Sequence, residues 1–287
     1  VWKTRGRQFD SASGHKMKLL KNIKKILLTL FSKKNTKFKT FDTYQNATAG
    51  GKNYKNHKLI KVVIAKSIKY RESLKNNKTL DLMSLRSFFA LSLLPDSPQI
   101  NVLDFGGGAG NHYYLARKLI DDNVKINWHV VETDSFVEEI NKQGLQSSEL
   151  KFFTSIDSAA KSIERFNLIY ANSSLQYTNN PLNFLEKLLK VNSDFIFFTR
   201  TPLIEDNRKE VIALQISKLS SNGQGEIPPE LNLKDEIVEY PFIVVNKIDL
   251  ENLINQYAEI EYIIEEESSA YSTEKGMFRN FGYIIKK

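Results

Sequence analysis

Apolar residues recur along this chain with two periods, and the two periods alternate. Short apolar runs of buried-strand type stand at Ile100–Leu103, Ile126–Glu132, Leu150–Thr154, Asn167–Ala171 and Phe195–Phe198. Between them lie segments with helical spacing: Tyr114, Leu115, Leu119 and Ile120, then Ser135–Gln143, Ser158–Arg165 and Pro181–Val191. In the last of these Leu182, Phe184, Leu185, Leu188 and Leu189 face inward. Strand and helix signals in strict alternation predict an α/β fold on a mostly parallel sheet. Two further helices, about His57–Tyr70 and Leu80–Leu94, precede the first strand, and Pro95 and Pro98 end the second.

The carboxyl-terminal part reads differently. Ile248–Tyr257 has helical spacing, while Ile260–Ile264 and Phe281–Ile285 read as strands. About sixteen residues without a helical pattern separate those two strands, and a parallel crossover needs more than that, so the pair is expected to be antiparallel. Residues 203–247 are less regular. They are read as an insertion over the cleft, with a helix near Lys209–Leu219 followed by Ser220–Gly225 and Pro228-Pro229, a mobile segment by composition.

Composition narrows the class. The chain has 287 residues, 41% of them hydrophobic, which suffices for one large α/β domain with additions. It has no cysteine, so disulfides and thiolate metal sites are excluded and a reducing compartment is expected. Its four histidines, His15, His57, His112 and His129, have no metal-ligand spacing, and no metal site is expected. The net charge of +8 is a property of the tail. Residues 1–39 contain twelve Lys/Arg and one acid, Asp10, and the remainder is slightly acidic. The folded body is therefore not expected to bind nucleic acid, which calls for a basic face.

Residues 1–16 show no periodicity, and Met17 is a candidate start. Lys18–Phe31 places Leu19, Leu20, Ile23, Ile26, Leu27, Leu30 and Phe31 on one helical stripe, with Lys18, Lys21, Lys24 and Lys25 mostly between them. Such a basic amphipathic helix either lies on an anionic membrane surface or packs on the body or a second subunit. It is too short in apolar run to span a bilayer. The expected organisation is a basic tail (1–39), a helical cap (40–98) and a ligand-binding α/β domain (99–287). The expected location is cytoplasmic, with peripheral contact at the inner membrane face through Lys18–Phe31. Oligomeric state is left open.

The chemistry concentrates where the first strand stops. Asp104 ends it, and Gly106, Gly107, Gly108 and Gly110 lead directly into a helix. Glycine serves where a chain reverses sharply or where backbone must approach a ligand with no Cβ between. The dinucleotide spacing Gly-x-Gly-x-x-Gly/Ala fails in both registers, because Asn111 or Tyr113 occupies the third position. The spacing Asp-x-Gly-x-Gly-x-Gly is satisfied at Asp104, Gly106, Gly108 and Gly110. The second strand ends at Glu132, 22 positions after Gly110, where doubly wound folds carry the acid that meets ribose hydroxyls; the neighbouring Asp134 is the alternative.

The glycine motif resembles motif I of the class I S-adenosylmethionine (SAM) methyltransferases. Together with Ser173-Ser-Leu-Gln-Tyr177, Arg200-Thr-Pro202, Tyr240-Pro241 and Gly282-Tyr283, it is similar to a narrower group, the methyltransferases associated with bacterial lipopolysaccharide, O-antigen and capsule gene clusters. The resemblance covers about residues 40–287. It implies a Rossmann-like methyltransferase fold: a doubly wound, mostly parallel seven-stranded sheet with an antiparallel last strand. It implies SAM as cofactor, with Asp104 and the glycine loop around its methionine part, and O-methylation of a sugar or related small group in surface-polysaccharide biosynthesis. The alternative is a catalytically inactive methyltransferase fold used as a scaffold at the membrane.

Further site residues follow from chain position in such a fold. Ser155 and Asp157 edge the adenine, or Asp157 caps the next helix. Asn172 and Ser173 fall in the cleft opposite the glycine loop. His112 opens the helix after the glycines and is either a general base or a structural cap. Tyr113, Gln176 and Tyr177 are candidate acceptor contacts, with Tyr177 equally readable as a core aromatic. Arg200 pairs with an anionic group on the acceptor or with a neighbouring acid.

Overall fold

The computed structural model describes residues 37–49, 56–76, 82–208, 210–273 and 275–287. The basic segment Lys18–Phe31, Met17, and the Gly50-Gly51 and Asn53-Tyr54 pairs lie outside these residues.

In chain order the elements are β1 (Lys37–Phe41), α1 (Tyr44–Thr48), α2 (His57–Asn76), α3 (Leu82–Leu91), β2 (Gln99–Phe105), α4 (Asn111–Leu119), β3 (Lys125–Val131), α5 (Asp134–Lys142), β4 (Leu150–Phe153), α6 (Ile156–Ala160), β5 (Phe166–Asn172), α7 (Pro181–Lys190), β6 (Ser193–Ile204), β7 (Glu210–Lys218), β8 (Ile237–Asn246), α8 (Lys247–Asn255), β9 (Glu259–Thr273) and β10 (Gly276–Lys286). The alternation of buried strand and amphipathic helix seen in the sequence thus persists from β2 to β6.

Strands β4, β3, β2, β5 and β6 pair in that order, all parallel. β10 then pairs antiparallel with β6, and β9 antiparallel with β10. The expected antiparallel last pair is observed, and these seven strands form the expected doubly wound α/β sheet. The order leaves β2 stepping to β3 on one side while β5 lies on the other. That reversal opens a crevice at the carboxyl ends of β2 and β5.

Side chains alternate through the sheet and bury on both faces. Val102, Trp128, Val130, Leu168, Tyr170 and Phe197 point to one face, where they pack with Leu59 and Val63 of α2, Ala116 of α4 and Phe136 and Ile140 of α5. Leu103, Phe105, Val131, Ile169, Ala171, Ile196 and Phe198 point to the other, against Leu185, Leu188 and Leu189 of α7 and Leu250 and Ile254 of α8. Each such buried Leu or Phe contributes roughly 1.5–3 kcal/mol. α7 begins as its sequence dictates, with Pro181 in its first turn and the Asn180 side chain accepting from the Asn183 N–H at 3.1 Å.

The insertion departs from the sequence reading. The expected helix near Lys209–Leu219 is the strand β7, antiparallel to β8 with Ile212 opposite Ile243. Val211, Ile212 and Ile216 are β-branched, and a partner strand some twenty residues later decides in favour of the extended form. β8 meets β6 only at Val245 and Asn246. Pro241 therefore sits where β8 has a neighbour on one side alone, as a residue without an N–H requires. β1 adds to the free edge of β7, with Lys39 opposite Leu214. The sheet thus gains three strands beyond the expected seven, and the expected cap (40–98) begins inside β1 rather than between elements.

Candidate functional site

The crevice is built from the end of β2 outward. After Phe105 the chain turns through Gly106, Gly108 and Gly110, all at positive φ. The Gly106 N–H donates to the Val131 carbonyl at 2.9 Å, which fastens the loop to the tip of β3. Gly108 lies at φ +61, and a Cβ built there would meet nothing nearer than Val63 Cγ1 at 3.9 Å. It would protrude into a cavity of about 610 Å³ lined by the loop, Glu132, Asn172 and residues of α2 and α3. A cavity of this size suits a ligand of cofactor dimensions.

Glu132 stands at the end of β3, before α5, and lines this cavity. It accepts the Gly108 N–H at 3.1 Å and the Thr133 N–H at 3.2 Å. Burial pushes its carboxyl up to about 7; those two N–H groups oppose the shift and the Asp104 charge adds to it. Between about pH 4.5 and about 7 the folded protein therefore holds a proton on Glu132 that the unfolded chain releases. Its contribution to stability is complete below about pH 4.5 and is lost as pH rises through about 7. The melting temperature of the ligand-free protein should fall over that window in wild type and fall less in Glu132→Gln. A ligand whose hydroxyls donate to the carboxylate should bind more tightly as pH rises towards 7 and release a proton, which calorimetry in buffers of different ionisation enthalpy reads directly.

His112, in the first turn of α4, faces two ways. Its Nδ1 lies 2.9 Å from Asp104 Oδ2, and its Nε2 lies 3.4 Å from Asn172 Nδ2 at the tip of β5. The ring packs edge-on against Tyr170 at 4.7 Å. Ser173, at φ +56, accepts from Gln176 Nε2 at 2.9 Å, and the same amide reaches the Arg200 carbonyl at 3.3 Å.

The far wall comes from α2, α3 and the strands β1, β7, β8 and β10. Tyr177 donates to Gln215 Oε1 at 3.1 Å, Gln215 Nε2 donates to the Tyr240 hydroxyl at 2.9 Å, and Tyr240 donates to Asn222 Oδ1 at 2.8 Å. Phe38 and Phe242 lie alongside, and Tyr70, Ser84, Ser87 and Asn280 are also part of the lining. Buried Lys66 of α2 clamps the loop beneath this wall, donating to the Ser220 and Asn222 carbonyls at 2.7 and 2.8 Å. Burial holds its ammonium below the ordinary lysine value, against the Asp235 charge.

Arg200 also lines the cavity and, like Ser173, has positive φ. Its backbone N–H donates to Glu266 Oε1 at 2.9 Å. Burial works to raise the Glu266 carboxyl, but bonds from Thr199, Arg86 and that N–H, with the Arg86 charge, hold it below its ordinary value.

The structure brings His112, Gln176, Tyr177, Gly106, Gly107, Gly108, Glu132, Asn172, Ser173 and Arg200 to one cavity. Five expected site residues lie elsewhere. Tyr113 points to another face of α4, where it is buried and donates to Glu149 Oε2 at 2.8 Å. Burial pushes its hydroxyl up to about 12, and Glu149 adds to the shift. Residues 112 and 113 of a helix face directions about 100° apart, so only one can serve the crevice. Tyr113→Phe should cost about 1 kcal/mol in chemical denaturation, the worth of one hydrogen bond, and leave ligand affinity unchanged. Ser155 caps α6, its hydroxyl accepting from the Ser158 N–H at 3.1 Å, and Asp157 is exposed in that helix's first turn. Neither lines the cavity. Gly110 closes the loop against Leu150, and Asp104 is fully buried beneath it.

Phe38, Tyr70, Ser84, Ser87, Gln215, Asn222, Phe242 and Asn280 went unread as site residues. Apart from Ser84 and Ser87, one turn apart on α3, they come from elements far apart in sequence, and no local spacing joins them. Among the described residues no cluster of His, Cys, Asp or Glu could hold a metal ion, and no helix is long and apolar enough to cross a membrane.

No family model matches the sequence, and no curated protein matches it. Solved structures resemble it in shape. The N-terminal domain of EvdMO1 with SAH bound is 10% identical, covering 72% of this chain and 82% of that one, with a TM-score of 0.43. A SAM-dependent methyltransferase from Clostridium acetobutylicum ATCC 824 is 12% identical, covering 77% and 98%, with a TM-score of 0.44. The [4+2]-cyclase SpnF is 10% identical, covering 82% and 96%, with a TM-score of 0.45. Likeness at this level does not carry an activity over to this chain; activity must be argued from the site.

Proposed function

We propose that this chain is a SAM-dependent methyltransferase that O-methylates a sugar or a related small polyhydroxy group. The observation that carries the reading is the cradle at the carboxyl end of β2: a positive-φ glycine loop whose Gly108 leaves space where a Cβ would protrude, with a carboxylate at the tip of β3 lining the same cavity. The residues fit the cofactor. Gly106, Gly107 and Gly108 would lie against it, and Glu132 would accept from its ribose hydroxyls.

SAM supplies a methyl group already activated on a sulfonium. The protein must then orient an acceptor, exclude water and take a proton. His112 would perform the last task; what supports this is that its Nδ1 is bonded inward and its Nε2 faces Asn172 at the cavity wall. The Tyr177–Gln215–Tyr240 chain lines the cavity beside Phe38 and Phe242, with its donors engaged along the chain and oxygen lone pairs left to accept from a ligand hydroxyl. Such a wall suits a ring bearing neutral hydroxyls. A role in surface-polysaccharide assembly rests on the sequence resemblance alone.

Two measurements test the proposal. S-adenosylhomocysteine should bind the purified chain in calorimetry and raise its melting temperature, while NAD should do neither. Methyl transfer from labelled SAM should then appear with some member of a panel of nucleotide sugars and simple glycosides. A well-folded protein with no affinity for S-adenosylhomocysteine would overturn it.

A further inference from the structure

We propose that Asp104 is a positioning residue for His112 and not a cofactor ligand: it fixes the imidazole in the tautomer protonated at Nδ1, leaving Nε2 bare towards the cavity. The inference rests on the reading of His112 as the base.

Asp104 has no exposed surface and does not line the cavity. One of its oxygens, Oδ2, receives both neighbouring ring nitrogens: Trp128 Nε1 at 3.0 Å and His112 Nδ1 at 2.9 Å. The indole nitrogen is only ever a donor. A carboxylate is an acceptor, so the imidazole nitrogen that meets it carries the proton. On the other side of the ring, Asn172 Nδ2 lies 3.4 Å from Nε2.

The fold supports this arrangement at each step. Asp104 lies opposite Tyr170 and Val130 in the parallel register. It therefore points to the same face as Trp128, two residues before Val130. Tyr170 then holds the His112 ring edge-on. Gly107 lets the loop pass over the carboxylate, since a Cβ there would lie 2.3 Å from Oδ2. A buried carboxylate is costly unless hydrogen-bonded; here the protein bonds Oδ2 twice, while Oδ1 is buried without a partner.

The deciding measurement is the tautomer of His112, read from long-range proton–nitrogen NMR of the full chain and assigned by the signal missing in His112→Asn. Wild type should show Nδ1 protonated and Nε2 bare. The opposite tautomer would overturn the proposal without any variant at Asp104. Asp104→Ala should lose the preference; Asp104→Asn, which keeps an acceptor oxygen, should largely retain it. With S-adenosylhomocysteine as probe, both should bind within about threefold of wild type, a difference of about 0.7 kcal/mol. In single turnover, Asp104→Ala should lose much of the about 10²–10⁴-fold that general acid–base catalysis contributes, and Asp104→Asn less. An unchanged tautomer in Asp104→Ala, with affinity lowered more than about 30-fold, some 2 kcal/mol, would make Asp104 a cofactor residue instead. If wild type binds no S-adenosylhomocysteine, the methyltransferase reading fails, and the tautomer measurement still decides the role of Asp104.

Discussion

Valine at position 108 is expected to abolish S-adenosylhomocysteine binding in a protein that still folds. Two consequences of the substitution separate cleanly. The first is conformational. Gly108 lies at φ +61, and a side chain in the left-handed region costs about 1–2 kcal/mol. That is affordable for a domain of ordinary stability, about 5–15 kcal/mol. The second is steric. The Cβ meets only Val63 Cγ1 at 3.9 Å, so the two valine methyls project into the cavity and occupy the space assigned to the ligand. Affinity should fall at least about 100-fold, or about 2.7 kcal/mol. Gly108→Ala, with a single methyl, should bind more weakly than wild type and more tightly than valine. Alanine at position 106 supplies the contrast. Its Cβ would lie 2.4 Å from Ser174 Cβ, so that change should damage folding before binding. Calorimetry on folded Gly108→Val that returned the wild-type affinity would remove the glycine loop from the ligand site.

How far the sequence could be read follows from how local each signal was. The alternation from Ile100 to Phe198 is local, and β2 to β6 follow it. The turn Asp104–Gly110 is also local, because three glycines at alternate positions specify a backbone that few other residues adopt. The last two strands were legible as antiparallel from the length of their connection alone. Residues 203–247 were not. Glu210–Lys218 satisfies a helical and an extended period alike, and only pairing with Ile237–Asn246 decides between them. Missing that pairing also hid the far wall of the cavity, since Gln215, Tyr240 and Phe242 enter through β7 and β8. Asp104 shows a subtler limit. Its place in the motif suggested contact with ligand, but the partner that claims it, Trp128, lies 24 residues on and is brought across by strand register. Tyr113 and His112 are adjacent in sequence with equal chemical promise, and only the rotation of α4 separates a core tyrosine from a cavity histidine.

Replacing His112 by asparagine should lower the rate of methyl transfer about 10²–10⁴-fold, the usual contribution of a positioned acid–base group, with S-adenosylhomocysteine affinity nearly unchanged. Catalysis of this kind needs a cavity side chain able to take a proton. Tyr177 already donates to Gln215, and Gln176 spends its amide on Ser173 and the Arg200 carbonyl. Those two shape the acceptor wall, so Tyr177→Phe and Gln176→Ala should raise the acceptor KM more than they lower the rate at saturation. His112 alone joins an inward-bonded nitrogen to one at the cavity wall. Glu132 complicates the pH dependence, because its carboxyl titrates near 7 and should weaken cofactor binding on the acid side. Saturating SAM suppresses that effect, since it acts through affinity. A structural cap would behave otherwise: the variant would melt earlier yet keep its rate per folded molecule. A wild-type single-turnover rate in folded His112→Asn would end the assignment, leaving alignment of the acceptor against the activated methyl as the source of catalysis.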